Sequence, residues 1–361
     1  RMHWATLLVM LSGTFMVVLD FFIVNVAIPS IQRELRASSS AIELVVAGYG
    51  MANAAGLITG GRLGDLYGRR RMFAWGLMLF TLASALCGLA PNAGVLVGAR
   101  VVQGLAGALL QPQVLAMLGL VYTGAARARA FAAYGLALGF GAVGGQLIGG
   151  LLIHADPAGL GWRSCFLINV PVGLAALALT PRFIPPLETQ GSSRLDLVGT
   201  LLVAAGLVAV IAPLVEGRQD GWPLWSWLCL AGAVPVLLFF GAHQKWLATR
   251  AGEPLIAPAL FAEPVFVTGL LITLIFYLGN ASYYFVLALY LQQGRGLGAL
   301  DSGLVFTALV LGFFATSMAA APLARWLGRQ SFAIGAGVLA AGHLLQYAVV
   351  ASSTQNASVL W

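Results

Sequence analysis

Two charged residues lie inside long apolar stretches of this sequence, where charges are rare. Asp20 falls in the middle of the first apolar run, and Arg100 falls in the fourth. A charged side chain in mid-span costs about 2.5–3.5 kcal/mol on insertion scales, so it usually serves a function or a buried ion pair. Apolar surroundings favour the protonated acid, whereas a nearby cation favours the carboxylate. Asp20 beside a cation could therefore exchange a proton near neutral pH, or it could simply hold two helices together.

The depths of the two residues in their runs agree with a pairing. Asp20 is nine residues from Pro29, near one end of its run, and Arg100 is six residues from Gly94, at the same side of the fourth run. At about 1.5 Å per residue, the two depths differ by roughly 5 Å, which an arginine side chain can bridge between neighbouring helices. We expect Asp20 and Arg100 to form a proton-coupling pair.

A stretch rich in glycine and arginine connects the second and third runs. It contains Gly61, Gly64, Asp65, Gly68 and Arg69. Glycines permit a tight turn and close helix approach, and an acid can pair with an arginine or with the N-terminus of a neighbouring helix. We expect these residues to form a conformational switch in an inner loop. For the arginines alone, the alternative is that they only fix the membrane topology.

Uncharged polar side chains within the runs are candidates for a substrate cavity, although some must instead form hydrogen bonds between helices. The cavity candidates are Asn25, Tyr49, Gln103, Gln111, Gln146, Asn280 and Tyr283. The four histidines and three cysteines show no spacing typical of metal ligands. We expect no metal, no cofactor and no catalytic residue.

Membrane-spanning helices must position these residues. The chain has 361 residues, of which 60% are hydrophobic and 9% are charged, and its mean hydropathy is +0.91. Soluble domains are roughly 45–50% apolar and about 25% charged, so soluble, disordered and nucleic-acid-binding classes fit poorly. Eleven apolar runs are long enough to cross a bilayer, and a spanning backbone can satisfy its hydrogen bonds there as helix. The sequence predicts an all-α polytopic membrane protein.

The basic residues between the runs predict the orientation. With the N-terminus in the cytoplasm, thirteen of the 19 Lys and Arg residues lie on the inner side and five on the outer side. This distribution satisfies the positive-inside rule. The net charge of +7 therefore indicates topology rather than an acidic partner. The sequence begins at Arg1, without an initiator Met, so we expect it to be trimmed.

The runs fall into four units along the chain. We expect residues 1–181 to form an N-terminal bundle of six helices and residues 182–196 to form a cytoplasmic linker. Residues 197–250 would be an inserted helix pair, and residues 251–361 a partial C-terminal bundle of three helices. Six spans followed by a linker and further spans are typical of transporters with internal repeats.

A weak internal repeat relates the two halves. A shift of 260 residues places Asn280 on Asp20, Gly328 on Gly68 and Arg329 on Arg69. So few matches could also arise by chance. No acidic residue lies deep in the last four spans. Proton coupling would therefore depend on the first bundle.

Five segments resemble motifs of the fourteen-helix drug:proton antiporters of the major facilitator superfamily. Residues 19–29 are similar to the first-helix motif, 61–71 to the loop signature and 100–108 to the fourth-helix motif. Residues 162–173 resemble the entry into helix six, and 195–199 the start of the inserted pair. The resemblance implies two helix bundles with an inserted pair and a substrate site between the bundles. With eleven spans, the chain is three short of the family's fourteen.

Two departures from the family pattern affect the expected cavity. Gln146 stands where the fifth-helix antiporter motif usually has proline, so we expect no proline kink there. Phe21 and Phe22 are bulky where the family usually has a smaller polar residue and an aliphatic one. These rings could change the shape of the cavity.

The resemblance implies proton-coupled efflux of amphipathic, often cationic, drugs across the cytoplasmic membrane by alternating access. The expected partners are a small-molecule substrate, protons and the lipid bilayer, with no nucleic acid; a periplasmic adaptor protein is left open. One alternative is an exporter or facilitator of a specific metabolite. Another class is an integral membrane enzyme that modifies lipids, although the sequence shows no polar catalytic cluster for it.

Overall fold

The computed structural model describes residues 3–187, 195–217, 221–250, 252–328 and 330–352. Within these ranges every regular element is helical. Eleven helical segments there are long and apolar enough to cross a membrane, counting residues Gly161–Phe183 as one segment. The predicted class of all-α polytopic membrane protein is confirmed.

Twelve α-helices follow one another along the described chain. They are α1 (Trp4–Leu35), α2 (Ser39–Tyr67), α3 (Arg69–Gly88), α4 (Ala93–Val121), α5 (Gly124–Ala155), α6 (Ser164–Leu167), α7 (Asn169–Phe183), α8 (Leu197–Glu216), α9 (Leu224–Thr249), α10 (Pro264–Leu289), α11 (Ala299–Leu327) and α12 (Gln330–Ser352). Part of the expected linker, residues 188–194, lies outside the described residues.

Side-chain caps fix the N-terminal ends of two helices. The Ser38 hydroxyl accepts a hydrogen bond from the Ala41 backbone N–H at 3.2 Å and so begins α2. Asn92 Oδ1 accepts from the Val95 N–H at 3.0 Å and begins α4. Such caps satisfy donors that a helix start leaves free and are each worth about 1 kcal/mol.

The connection between α2 and α3 is shorter than expected. We expected a loop across residues 61–71, but α2 continues to Tyr67 and α3 begins at Arg69. The expectation was wrong because Gly61 and Gly64 serve close packing inside the helix rather than a turn. Only Gly68 leaves helical geometry, with a φ of 96° that favours glycine.

Two buried apolar clusters fill the first seven helices. One includes Met10 and Phe73, and the other includes Ile23 and Phe166. Along α1, Asp20 falls between the residues of the first cluster and those of the second. Apolar packing on both sides therefore places this acid at mid-depth in the helix layer.

Glycines bring α5 against α1. A Cβ atom added to Gly141 would lie 2.9 Å from Val18 Cβ, and one added to Gly145 would lie 3.0 Å from the Leu19 carbonyl oxygen. Such separations leave no room for a side chain, as is typical of close helix pairs in membranes. Gln146 sits in an unbroken helix, because α5 runs from Gly124 to Ala155 as one element.

The remaining helices pack around this framework. α2 and α3 both pack on α4, α3 also packs on α7, and α11 packs on α5. α8 and α9 form a hairpin that packs through α8 against α2. The α8–α9 hairpin therefore contacts the first group of helices directly.

The helix bounds agree with the 260-residue repeat. α10 begins 260 residues after α1, and α11 begins and ends 260 residues after α2. Gly328 follows α11 with a positive φ of 53°, as Gly68 follows α2 with a φ of 96°. Arg329, the counterpart of Arg69, lies outside the described residues.

Candidate functional site

The structure brings Asp20 of α1 and Arg100 of α4 together as an ion pair. Arg100 Nη1 donates to Asp20 Oδ2, and both side chains are 0% exposed. Because the protein interior has a low dielectric constant, neither charge is stable there without the other. The pairing is therefore the first requirement of the site.

Two amides complete the environment of the Asp20 carboxylate. Asp20 Oδ1 accepts hydrogen bonds from Gln103 Nε2 at 2.9 Å and from Asn169 Nδ2 at 2.8 Å. Both amides also donate to Ser84 Oγ, at 3.1 and 3.0 Å. Ser84 in turn donates to the Phe166 carbonyl oxygen at 2.9 Å. The acid thus connects α1 to α3, α4 and α7.

Helix α2 holds the other side of the guanidinium. Arg100 Nε donates to the Val45 carbonyl oxygen at 3.0 Å, and its Cζ lies 4.1 Å from the Tyr49 ring centroid. The Tyr49 hydroxyl donates to the Val17 carbonyl oxygen at 3.0 Å. A cation over an aromatic face is attracted to it. Arg100 is therefore fixed by backbone, ring and carboxylate together.

Tyr49 and Gln103 were expected to line a substrate cavity, but the structure places both inside this cluster. Tyr49 is 1% exposed and Gln103 is 0% exposed. Their polar atoms bond the cluster instead of facing open space. Two further buried atoms, Arg100 Nη2 and Asn169 Oδ1, make no hydrogen bond within the described residues.

A second polar network lies toward the C-terminal ends of α2 and α4. Arg69 pairs with Asp65 and also donates to the Gly61 carbonyl oxygen at 3.0 Å and to Gln113 Oε1 at 3.1 Å. Gln113 Nε2 donates to the Gly60 carbonyl oxygen at 2.6 Å. The expected pairing of Asp65 with an arginine is present, and Gln113 joins it to α4.

Close approach and a cavity mark the same inner region. A Cβ on Gly64 would lie 1.9 Å from Gln113 Oε1, so only glycine fits there without displacing the amide. A cavity of about 490 Å³ beside the network is lined in part by Arg62 and Leu255. Arg62 pairs with Glu253, which precedes α10. This ion pair connects α2 to the segment that follows the inserted helices.

The other cavity candidates lie on separate helices. Gln146 is 5% exposed, and its Nε2 lies 3.5 Å from the Phe22 carbonyl oxygen. The remaining candidates are half-buried side chains on α1, α4 and α10, namely Asn25, Gln111, Asn280 and Tyr283. Only Gln146 among these links α5 to α1 through a hydrogen bond.

A third polar cluster joins the inner ends of α8 and α9. Asp196 accepts hydrogen bonds from the Gly199 N–H at 2.8 Å and from Gln244 Nε2 at 2.8 Å, and its Oδ1 lies 2.9 Å from His243 Nε2. Burial raises the pKa of Asp196, but these hydrogen bonds outweigh it and hold the pKa below the ordinary value. Asp196 therefore serves as a helix cap for the inserted pair.

Sequence reasoning left three contributors out of the proposed site. Ser84 is one small polar residue in an apolar run, and no spacing pattern marks it. Asn169 lies in the segment that resembles the family's entry into helix six, so the resemblance could have identified it. Gln113 lies ten residues from Gln103 on α4, which is about 80° away around the helix, so helical spacing does not place the two on one face.

Comparison with known proteins agrees with this architecture. The sequence profile of the Major Facilitator Superfamily matches residues 10–361. The chain belongs to this superfamily. The resemblance drawn from the five motif segments is thereby confirmed.

Several relatives come from species of Streptomyces and Amycolatopsis. The chain is 39% identical over 347 residues to a protein of Streptomyces coelicolor named "probable actinorhodin transporter", covering 95% of this chain and 60% of that protein. It is 37% identical to the puromycin resistance protein pur8 of Streptomyces alboniger, covering 94% of this chain and 66% of the relative. It is 33% identical to the cephamycin export protein CmcT of Amycolatopsis lactamdurans, covering 97% and 72%. The chain thus spans about two thirds or less of the first two.

Solved structures show the same fold. The superfamily proton:xylose symporter XylE matches with a TM-score of 0.58 at 15% identity, covering 87% of this chain and 68% of that one. A peptide transporter POT in complex with sulfate also has a TM-score of 0.58 at 15% identity, covering 90% and 69%. At this identity the likeness concerns the fold alone.

Proposed function

We propose that this chain is the larger part of a proton-coupled exporter of small, drug-like molecules. The observation that carries the proposal is the fully buried Asp20–Arg100 pair, which is bonded to several helices at mid-depth. An acid in this position titrates only when its ion pair reorganises, so protonation and helix packing are linked. The relatives named for export of, or resistance to, antibiotics support the direction of transport.

Proton binding changes the bonds of Asp20 in a defined way. The carboxylate accepts from Arg100, Gln103 and Asn169. A protonated Asp20 carries an O–H donor and loses its charge, so its attraction for Arg100 falls. The side-chain amide oxygen of Asn169, Oδ1, has no hydrogen-bond partner within the described residues. It can accept a hydrogen bond from the new O–H donor after a small movement. Release of Arg100 would then allow α4 to move relative to α1.

The inner network would serve as the conformational switch. Asp65, Arg69 and Gln113 tie the end of α2 to α4, and the Arg62–Glu253 pair ties α2 to the segment before α10. Alternating access requires such inner contacts to form in one state and to break in the other. Gly61, Gly64 and Gly68 allow the helices to approach closely enough for those contacts.

The proposed placement follows the charge distribution. The N-terminus faces the cytoplasm, and the protein lies in the cytoplasmic membrane. Residues 1–181 form the first bundle, 197–250 the inserted pair and 251–361 part of the second bundle, with 182–196 as the linker. The substrate site lies between the bundles, where Asn25, Gln111, Gln146, Asn280 and Tyr283 supply polar groups. Cysteine labelling from each side of the membrane, at introduced residues in the 61–71 and 157–163 segments, tests the orientation.

The decisive experiment compares two carboxylates in the full-length protein in proteoliposomes. Asp20→Asn keeps the shape of the side chain and removes its titration, so substrate-stimulated proton release and export should both be lost. Glu34→Gln is the matched control, because Glu34 also pairs with an arginine, Arg163, but at the surface. Both activities should remain in that control. Export by Asp20→Asn with normal proton release would refute coupling through Asp20.

A further inference from the structure

Aromatic rings meet where α1 faces α10 and α11. We name as the aromatic junction the residues Phe21, Phe22, Tyr283, Tyr284 and Phe306. Ring centroids lie 5.1 Å apart for Phe21 and Phe22, 6.0 Å for Phe22 and Tyr284, and 6.3 Å for Tyr284 and Phe306. The junction therefore forms a continuous series of ring contacts from the first group of helices to the last.

Tight packing fixes the α1 side of the junction. A Cβ on Gly145 would lie 2.9 Å from Phe22 Cβ, so the backbone at Phe22 rests directly on α5. α11 contacts α5 just as closely, since a Cβ on Gly303 would lie 3.3 Å from Leu147 Cα. The Phe22 ring is nevertheless half-buried rather than enclosed. The half-buried Phe22 ring is therefore held in place by the close packing of α1 on α5.

Two amide side chains lie near the hydroxyls of the junction tyrosines. They are Asn280 near Tyr284 and Gln346 near Tyr283. Both hydroxyls can still offer a lone pair or a proton to a ligand. The polar rim of the junction is therefore uncharged and suits carbonyl and hydroxyl groups.

The junction residues include no carboxylate, and within the described chain the acid at mid-span beside them is already paired. Among the 12 acidic residues of the sequence, Asp20 alone lies in the middle of a span. Its side chain is 0% exposed, and both oxygens already accept hydrogen bonds. One face of the Tyr49 ring, whose centroid lies 5.9 Å from that of Phe21, is occupied by the Arg100 guanidinium. Protonation of Asp20 would leave the Arg100 charge uncompensated and would repel a second cation.

We propose that the aromatic junction binds planar, uncharged aromatic compounds carrying carbonyl or hydroxyl groups, in preference to organic cations. Offset or edge-to-face contact with rings stabilises such a ligand without an ionic partner. A buried cation would need a carboxylate that the junction lacks. The proposal rests on the proposed export function and narrows its substrate class.

The test measures binding and export by the full-length protein with three probes: 1-hydroxyanthraquinone, ethidium and tetraphenylphosphonium. Ethidium shares the planar rings of the first probe and the charge of the third. We expect the dissociation constant of hydroxyanthraquinone, from equilibrium dialysis, to be at least about tenfold below that of either cation. Equal or tighter binding of ethidium would overturn the proposal.

Variants locate the binding surface. Phe22→Leu and Tyr284→Leu should each weaken hydroxyanthraquinone binding about five- to tenfold, and Tyr284→Phe, which keeps the ring, should retain most of it. Phe276→Leu is the matched control, because its ring contacts only the adjacent Tyr277 among the ring pairs of α10. Equal losses in the control and the junction variants would refute the assignment. Selective binding without proton-coupled export would contradict the proposed function while leaving the substrate class in place.

Discussion

Two of the acid–arginine pairs, Asp20–Arg100 and Asp65–Arg69, differ sharply in burial. Asp20 and Arg100 are 80 residues apart in sequence, and neither side chain is exposed. Asp65 and Arg69 are four residues apart, and their side chains are 26% and 17% exposed. The first pair joins α1 to α4, whereas the second joins the end of α2 to the first residue of α3 across Gly68.

This difference separates two kinds of control. Water can replace the partners of Asp65, so breaking that pair costs little and can occur in each transport cycle. Water cannot reach Asp20, so breaking its pair requires neutralisation first. Under the proposed function, the buried pair would respond to proton binding, and the Asp65–Arg69 pair would open and close.

The largest expected effect comes from removing the buried cation. Arg100→Leu leaves the Asp20 carboxylate without its ion-pair partner and should lower the free energy of unfolding by about 3–5 kcal/mol. Adding Asp20→Asn to the same protein should restore much of the loss, because no buried charge remains. Denaturant unfolding in detergent micelles measures both. A loss below about 1 kcal/mol for Arg100→Leu would show that the pair is accessible to water.

A smaller effect is expected where the inner network meets α4. Gly64→Ala places a methyl group 1.9 Å from Gln113 Oε1 and should displace the amide from Arg69. Loss of these buried hydrogen bonds should cost about 1–3 kcal/mol and slow transport without abolishing proton binding. Gly98→Ala on α4 is the control, because nothing lies within 4 Å of its added Cβ. Equal transport rates in the two variants would show that close packing at Gly64 is dispensable.

The third acid, Asp196, tests the comparison at intermediate burial. Its lowered pKa means that the carboxylate stabilises the fold above the unfolded-state pKa of about 3.9 and loses that contribution as the pH falls through the folded-state pKa. Asp196→Asn should therefore be less stable than the parent protein by about 1 kcal/mol at pH 7, with the gap closing below about pH 4. Thermal unfolding across pH 3–7 measures it. A stability difference that does not change with pH would mean that the loss comes from the shape of the side chain at position 196 and not from its charge.

The smallest effect is expected at the outer surface. Glu34 pairs with Arg163 and accepts from Trp162 Nε1 at 2.7 Å, but the Glu34 side chain is 51% exposed. Glu34→Gln should change the free energy of unfolding by about 0.5 kcal/mol or less, and less still in high salt. The same unfolding assay as for Arg100→Leu gives the direct contrast. A change of several kcal/mol would mean that the exposure of an ion pair does not predict its contribution to the free energy of unfolding.

Sequence reasoning reached the buried pair because depth in a helix can be counted and because mid-span charges are rare. It could not find Ser84 or the role of Gln103, since these depend on how each helix is rotated against its neighbours. It also misplaced the end of α2: glycine predicts a loop by its backbone freedom, whereas Gly64 is required here because Gln113 occupies the space of a side chain. The all-helical fold followed from composition and run length alone.

The single-residue turn at Gly68 couples movement of the Asp65–Arg69 network to the surroundings of the Asp20–Arg100 pair. A longer loop would let α2 move without moving α3. Because Arg69 starts α3 directly after Gly68, a movement of α2 also moves α3. Ser84, which touches the amides around Asp20, lies fifteen residues along the same rigid rod, or about 22 Å from the joint. A tilt of α2 at this joint would therefore move α3. The Ser84 hydroxyl would then shift relative to the amides that bond Asp20.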